Sequence, residues 1–278
     1  MLNKKHILEK KCYLKFECPN PTLLSCRFPI ATLQKMKNTS NATELCIELK
    51  NIIMETTQKN KPGNNTTLYQ FIIDRSGSMG GLEQMVVGGY NEHLSAVKNM
   101  QATYPDQQFL VSLLTFDDDV QWLVKPAPIS ELNELPNDAF RPRGMTALLD
   151  AIGKGIHHIE SEYTNKIQND EMSVVMVIIT DGAENASQFF NYHSIAKKIK
   201  ERDETGKWTF SFIGCDFDAV HTSKMLNIRS ENVRNYDKKE YGKMSRKVDS
   251  SFMRYAKSKS DGSFGKRIFS FFEEDDEK

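Results

Sequence analysis

The chain has 278 residues, with 37 Lys+Arg against 37 Asp+Glu, so it carries no global field to recruit nucleic acid or an anionic membrane. Hydrophobic residues make up 39% and charged residues 27%, the balance of a soluble globular protein able to build a core. No run approaches the roughly 18 apolar residues of a membrane span. The length fits one large domain, or a medium one with a small appended segment.

Residues 1–65 read as an N-terminal extension with a strand-like Cys12–Phe16, a turn at Pro19-Asn20-Pro21 and a helix near Thr43–Thr56. The lysine-rich start is followed by no unbroken apolar stretch, which argues against a secretory signal and for a cytoplasmic location. The five cysteines, an odd number, fit reduced thiols. Cys12, Cys18, Cys26 and Cys46 lie in this segment without a Cys-x-x-Cys pair, so buried thiols are favoured over zinc. Lys59–Thr67 has linker composition and marks a domain boundary.

Strand and helix patterns then alternate. Leu68–Ile73 is an apolar strand, and Leu82–Met100 a helix with Met85, Val86, Tyr90, Leu94 and Val97 on one face. Phe109–Phe116 is a second strand, and Val120–Val124 a short edge partner across the turn Asp117-Asp118-Asp119. A helix over Thr146–Tyr163 precedes Ser173–Thr180, whose unbroken apolar run suits a central parallel strand. A helix at Tyr192–Arg202, a strand at Trp208–Ile213, a short helix at Ala219–Leu226 and an edge strand at Asn232–Tyr236 follow. The order closes with a basic helix from Lys238 to Lys257 and a tail over 258–278 with an acidic end. Strands separated by helix-length segments mean crossovers: an α/β, doubly wound, mostly parallel sheet with helices on both faces, over residues 66–257.

In such sheets ligands bind at the carboxyl ends of the strands, at a switch in strand order. Three loops end there with oxygen-bearing side chains: Asp74, Ser76 and Ser78 after the first strand, Thr146 at the start of a helix, and Asp181 after the central strand. Asp-x-Ser-x-Ser alone is a weak signal. Two carboxylates and three hydroxyls together suit a hard divalent cation, which takes oxygen ligands. Two carboxylates balance one such cation, and a metal held mainly by hydroxyls keeps an appetite for one further anionic oxygen, such as a partner's Asp or Glu.

Asp74-Arg75-Ser76-Gly77-Ser78, then Thr146, then Asp181-Gly182, in that order on an α/β frame, resembles the von Willebrand factor type A domain with a complete metal-ion-dependent adhesion site. The wording around these positions is similar to bacterial intracellular members. The resemblance covers roughly residues 66–236, extending towards Lys257. It implies Mg²⁺ or Mn²⁺, met directly or nearly so by Ser76, Ser78 and Thr146 and largely through water by Asp74 and Asp181. It also implies a protein partner presenting a carboxylate, and a role as an adaptor or subunit of a bacterial multiprotein system in stress, assembly or defence.

Plainer readings stand beside these. Thr146 is placed to cap its helix. Arg141 and Arg143 either clamp an acidic partner or are solvated loop charges. Asp117-Asp118-Asp119 reads as a hairpin turn, with a second cation site the weaker alternative. His157-His158 lacks a metalloprotease Glu, and Phe269-Ser270-Phe271-Phe272 is a docking peptide, a disordered tail or a final packed segment.

Binding, not catalysis, is therefore expected. A Mg²⁺-dependent phosphoryl-transfer enzyme is the rival, without a phosphate loop, a paired Asp-x-Asp or a Cys-x₅-Arg motif to support it. Nucleic-acid binding through the basic stretch over 238–259 is possible but not favoured over a solvated helix face.

Overall fold

The computed structural model describes residues 65–215, 219–262 and 270–272. The chain divides into two compact units, Met1–Lys61 and Pro62–Lys278. The strand, turn, helix and four cysteines expected in the N-terminal extension, and the acidic end, lie outside the described residues.

Six strands form one sheet in the order β3-β2-β1-β4-β5-β6: β1 Thr66–Asp74, β2 Gln108–Phe116, β3 Val120–Pro128, β4 Met172–Thr180, β5 Trp208–Cys215 and β6 Val233–Tyr236. All neighbours are parallel except β2 and β3, which pair antiparallel across the Asp117–Asp119 turn. The chain builds outward from β1 to one edge and then returns to β4 on its other side. The switch in strand order therefore lies between β1 and β4, and both run in register from Thr66 beside Met172 to Ile73 beside Ile179.

Alternation along β1 and β4 explains the two layers. Tyr69, Phe71, Ile73, Val175, Val177 and Ile179 face one core, and Leu68, Ile72, Val174, Met176 and Ile178 the other. Helices α1 (Glu83–Thr103) and α5 (Tyr241–Ser260) cover the first face, while α2 (Leu148–Gln168), α3 (Tyr192–Asp203) and the short α4 (Ala219–Met225) cover the second. The doubly wound fold is as the sequence predicts.

Four local expectations are corrected. Met85 is exposed, and the inward face of α1 instead carries Val86, Val87, Tyr90, His93, Leu94, Val97 and Met100. The edge strand β3 runs to Pro128. Helix α2 begins at Leu148, so Thr146 is not its cap, and no side chain at Ala147 caps it locally. Its first N–H groups are met by a distant loop: Leu149 N donates to Glu184 Oε2 (2.9 Å) and Asp150 N to Ser187 Oγ (3.0 Å).

The fourth concerns the C-terminal segment. Helix α5 extends to Ser260, and beyond it Phe271 and Phe272 are buried against α5 and β6. Phe271 N donates to Asn232 Oδ1 (2.7 Å), and Arg254 Nη2 donates to Phe271 O (2.6 Å). Of the alternatives for Phe271 and Phe272, the packed segment is the one observed. Two cations of the basic stretch are thus turned inward, since Lys259 Nζ reaches Thr66 O (3.0 Å), Thr67 Oγ1 (2.7 Å) and Ser173 Oγ (3.0 Å). Among the described residues, no helix is long and apolar enough to cross a membrane.

Candidate metal centre

At the carboxyl edge of the sheet, the loops after β1 and β4 meet the loop before α2. Asp74, the last residue of β1, is fully buried, and its Oδ1 accepts the Ser76 N–H at 2.7 Å, which turns the chain sharply out of the strand. Its Oδ2 accepts the Thr180 hydroxyl at 2.6 Å from the end of β4. Ser76 Oγ lies 2.9 Å from Ser78 Oγ, and Ser78 Oγ donates to Asp181 Oδ1 at 2.6 Å. A continuous polar chain therefore links the two loops across the strand switch.

Thr146 joins the cluster through Gly182. A β-carbon placed on Gly182 would lie 3.1 Å from Thr146 Oγ1, 3.6 Å from Ser78 Oγ and 3.8 Å from Asp74 Oδ2. One small volume is thus bordered by oxygens from the loop after β1 and the loop before α2 and by the backbone of the loop after β4, where glycine keeps it open. All five side chains named from the sequence fall within this cluster.

The electrostatics are those of a carboxylate under stress. Burial pushes the Asp74 carboxyl up to about 6, against the lowering effect of its Thr180 and Ser76 hydrogen bonds, and the nearby Asp181 charge raises it further. Among the described residues no group of three or more His, Cys, Asp or Glu side chains is placed to hold a metal ion by itself. The donors here are mainly hydroxyls with two carboxylates, a set that fits a hard cation better than a thiophilic one.

Several residues that hold the cluster together escaped sequence reasoning. Thr146 N donates to Asn185 Oδ1 (2.8 Å), while Asn185 N donates back to Thr146 O (3.1 Å). Asp150, four residues after Thr146, accepts the N–H groups of Gln188 (2.9 Å), Phe189 (3.0 Å) and Phe190 (2.9 Å). Glu184 accepts from Leu149 N, Ala186 N, Ser187 N and the Ser187 hydroxyl. The loop after β4 is pinned to the start of α2 by these two carboxylates.

On the other flank, the Asp117–Asp119 turn is a hairpin turn as expected, and it also binds both neighbouring loops. Asp117, nearly fully buried, accepts Arg75 Nε (3.1 Å) and Arg143 Nε (2.9 Å), lies in ion-pair contact with Arg75 Nη2 (2.7 Å), and takes the Ala147 N–H on its carbonyl oxygen (2.9 Å). Burial raises the Asp117 carboxyl, but the Asp119 N–H, the Arg143 hydrogen bond and the two guanidinium charges outweigh it and hold it below the usual range. The signal for these residues was present as charged positions in loops. Their partners, 26 and 42 residues away, were not visible.

The family model of the von Willebrand factor type A domain matches residues 70–250. The chain belongs to that family. Solved structures are similar to this chain. The SpaC pilus adhesin of Lactobacillus rhamnosus GG, in an open conformation, aligns with a TM-score of 0.51 at 13% identity over 69% of this chain and 30% of that one. The PilB minor pilin of Streptococcus sanguinis gives 0.50 at 10% identity over 70% and 63%. The ArnB paralog VWA2 of Sulfolobus acidocaldarius gives 0.44 at 16% over 66% and 44%. In each case this chain spans less than two thirds of the matched one, and the likeness to SpaC and PilB speaks for the fold alone. A comparison with curated protein sequences found no match.

Proposed function

We propose that this type A domain is a divalent-cation-dependent protein-binding module in which Asp74, Ser76, Ser78, Thr146 and Asp181 form a complete metal-ion-dependent adhesion site for Mg²⁺ or Mn²⁺. A carboxylate presented by a partner's Asp or Glu completes the coordination. The observation that carries the reading is the convergence around Gly182: oxygens of Asp74, Ser78 and Thr146 border one volume at the strand switch and Asp181 joins through Ser78, with a buried carboxylate pushed up to about 6 beside a second one. A cation supplies there the positive charge that two adjacent carboxylates require and an electrophilic position for an anionic ligand. The hydroxyl-rich donor set leaves that position less neutralised than an all-carboxylate cage would. Type A domains often mediate protein–protein interaction. The same reading makes this chain an adaptor or a subunit of a larger assembly in the bacterial cytoplasm, in keeping with its odd cysteine count.

Titration of Mg²⁺ and Mn²⁺ into the EDTA-stripped full chain by calorimetry tests the metal half. Wild type should bind one ion, and Asp181→Ala and Ser76→Ala should lose most of the affinity while remaining folded in EDTA. Equal affinity in the variants would sink the assignment. Partner capture from the host extract that persists in EDTA, or in Asp181→Ala, would refute the metal-dependent half of the function.

A further inference from the structure

We propose that Arg143 is a second recognition point beside the metal centre, held in place by Asp117 to engage a second carboxylate of an acidic partner segment. This rests on the cation-dependent reading above and narrows its partner class, from any exposed Asp or Glu to segments carrying two acidic groups.

Two arginines flank Thr146 in the sequence, and the structure separates them. Arg141 is spent locally: its Nε donates to Asp138 O (3.2 Å) and its Nη2 to Asp138 Oδ2 (3.0 Å), an exposed pair three residues apart. Arg143 is anchored differently. Its Nε donates at 2.9 Å to the Asp117 carboxylate, which is 2% exposed, while its own side chain is 67% exposed. Among the described residues its two Nη amino groups have no hydrogen-bond partner.

Asp117 also pairs with the buried Arg75, so this one carboxylate is shared between two guanidinium groups, while the charges of Asp119 and Asp118 also act on Arg143 from the same turn. The backbone is fixed as well. Arg143 N donates to Arg75 O (2.9 Å), and the following Gly144 O accepts Gly77 N (3.1 Å), so Arg143 and Gly144 are hydrogen-bonded to the two residues that flank Ser76. Gly144 holds a φ of +66°, and a β-carbon there would sit 2.0 Å from Asp118 Oδ2. Asp118 Oδ1 in turn accepts Met145 N (3.2 Å).

A guanidinium held through Nε retains the outer edge formed by its two Nη groups, the geometry that meets a carboxylate through paired hydrogen bonds. Because the side chain is already tethered, less rotamer freedom is lost when a ligand arrives. The partner therefore offers one acid to the metal and a second to Arg143.

Simple carboxylates test this without the partner. Acetate and a series of dicarboxylates from malonate to adipate are titrated against the Mg²⁺-loaded full chain at low salt by amide NMR, with Mg²⁺ affinity measured on the same samples. The best dicarboxylate should bind roughly 5-fold to 10-fold more tightly than acetate, the size of one partly exposed charge-assisted contact. In Arg143→Gln the ratio should fall to about 2, the statistical advantage of two equivalent ends. Arg143→Lys should restore it only in part, because an ammonium lacks the planar paired edge that meets a carboxylate through two parallel hydrogen bonds. Arg141→Gln should keep the ratio. A ratio retained in Arg143→Gln, or fully restored by Arg143→Lys, overturns the proposal while leaving the metal centre standing. Absence of Mg²⁺-dependent acetate binding in wild type overturns the metal-centre reading, and this proposal with it.

Discussion

Replacing Asp74 by Asn should stabilise the metal-free protein and abolish its response to Mg²⁺. Asp74 is fully buried and its carboxyl is pushed from 3.8 to about 6, mainly by burial. Between those two values the folded state binds more protons than the unfolded state, so stability falls as pH rises through that window. Above it the full cost is present, roughly 3 kcal/mol at about pH 7.5. Near pH 4.5 only about 1 kcal/mol of it remains.

Asparagine removes the charge without orphaning a neighbour. Its Oδ1 still accepts the Ser76 N–H. Its amide faces the Thr180 hydroxyl, which can turn its proton to Gly182 O, 3.1 Å away. Urea unfolding of both proteins in EDTA reads the difference directly. The variant should be more stable by about 2–3 kcal/mol near pH 7.5, converging with wild type in acid. Adding Mg²⁺ to about 100 times its dissociation constant should return about 2.7 kcal/mol to wild type and nothing to the variant. A variant that is less stable in EDTA near neutral pH, or a gap that does not shrink on acidification, would show that this carboxylate is not the strained group described above.

Three further outcomes are expected. Gly182→Ala places a methyl 3.1 Å from Thr146 Oγ1 and 3.6 Å from Ser78 Oγ, so calorimetry should show Mg²⁺ affinity falling by at least ~10-fold while stability changes by under about 1 kcal/mol. Asp150→Ala removes the acceptor of three backbone N–H groups and should cost about 2–4 kcal/mol in urea unfolding, with faster amide exchange at Gln188, Phe189 and Phe190. Phe271→Ala empties a fully buried ring site and should cost about 3–5 kcal/mol, whereas a partner-docking peptide lying outside the core would leave the melting temperature unchanged.

The alternation of strands and helices, and the meeting of the five named residues at one edge of the sheet, were legible because their signals are local. Met172–Thr180 is buried along its whole length, and only a continuous apolar run can fill such a strand. Asp74, Ser76 and Ser78 alternate within one turn, so their spacing carries the geometry. What failed depended on distant partners. Thr146 looked like a helix cap because capping rules search within a few residues, yet the α2 terminus is satisfied by Glu184, 35 residues from Leu149. Asp117-Asp118-Asp119 was correctly read as a turn, but its hold on Arg75 and Arg143 is tertiary. Met85 fits the helical period of α1 and still points outward, because apolar spacing alone does not say where the covered arc ends.

The carboxylates of this edge fall into two kinds, and the contrast is an argument about where binding free energy can come from. Asp150 and Glu184 are surrounded by backbone N–H donors, and Asp117 by two guanidinium groups, so each is compensated within the chain. Asp74 accepts a single backbone N–H, that of Ser76, and otherwise meets the Thr180 hydroxyl, and the charge of Asp181 adds to the burial that strains it. The carboxylates held by several N–H groups or by guanidinium groups tie the three loops together; the strained Asp74 beside Asp181 makes the space between them attractive to a cation. If that division holds, EDTA should increase amide exchange at Ser76 and Ser78 and leave Gln188–Phe190 as protected as before, because the scaffold does not depend on what it encloses. Collapse of both regions together on metal removal would mean that the cation holds the loops, and that the hydrogen bonds from Asp150 and Glu184 are too weak to do so alone.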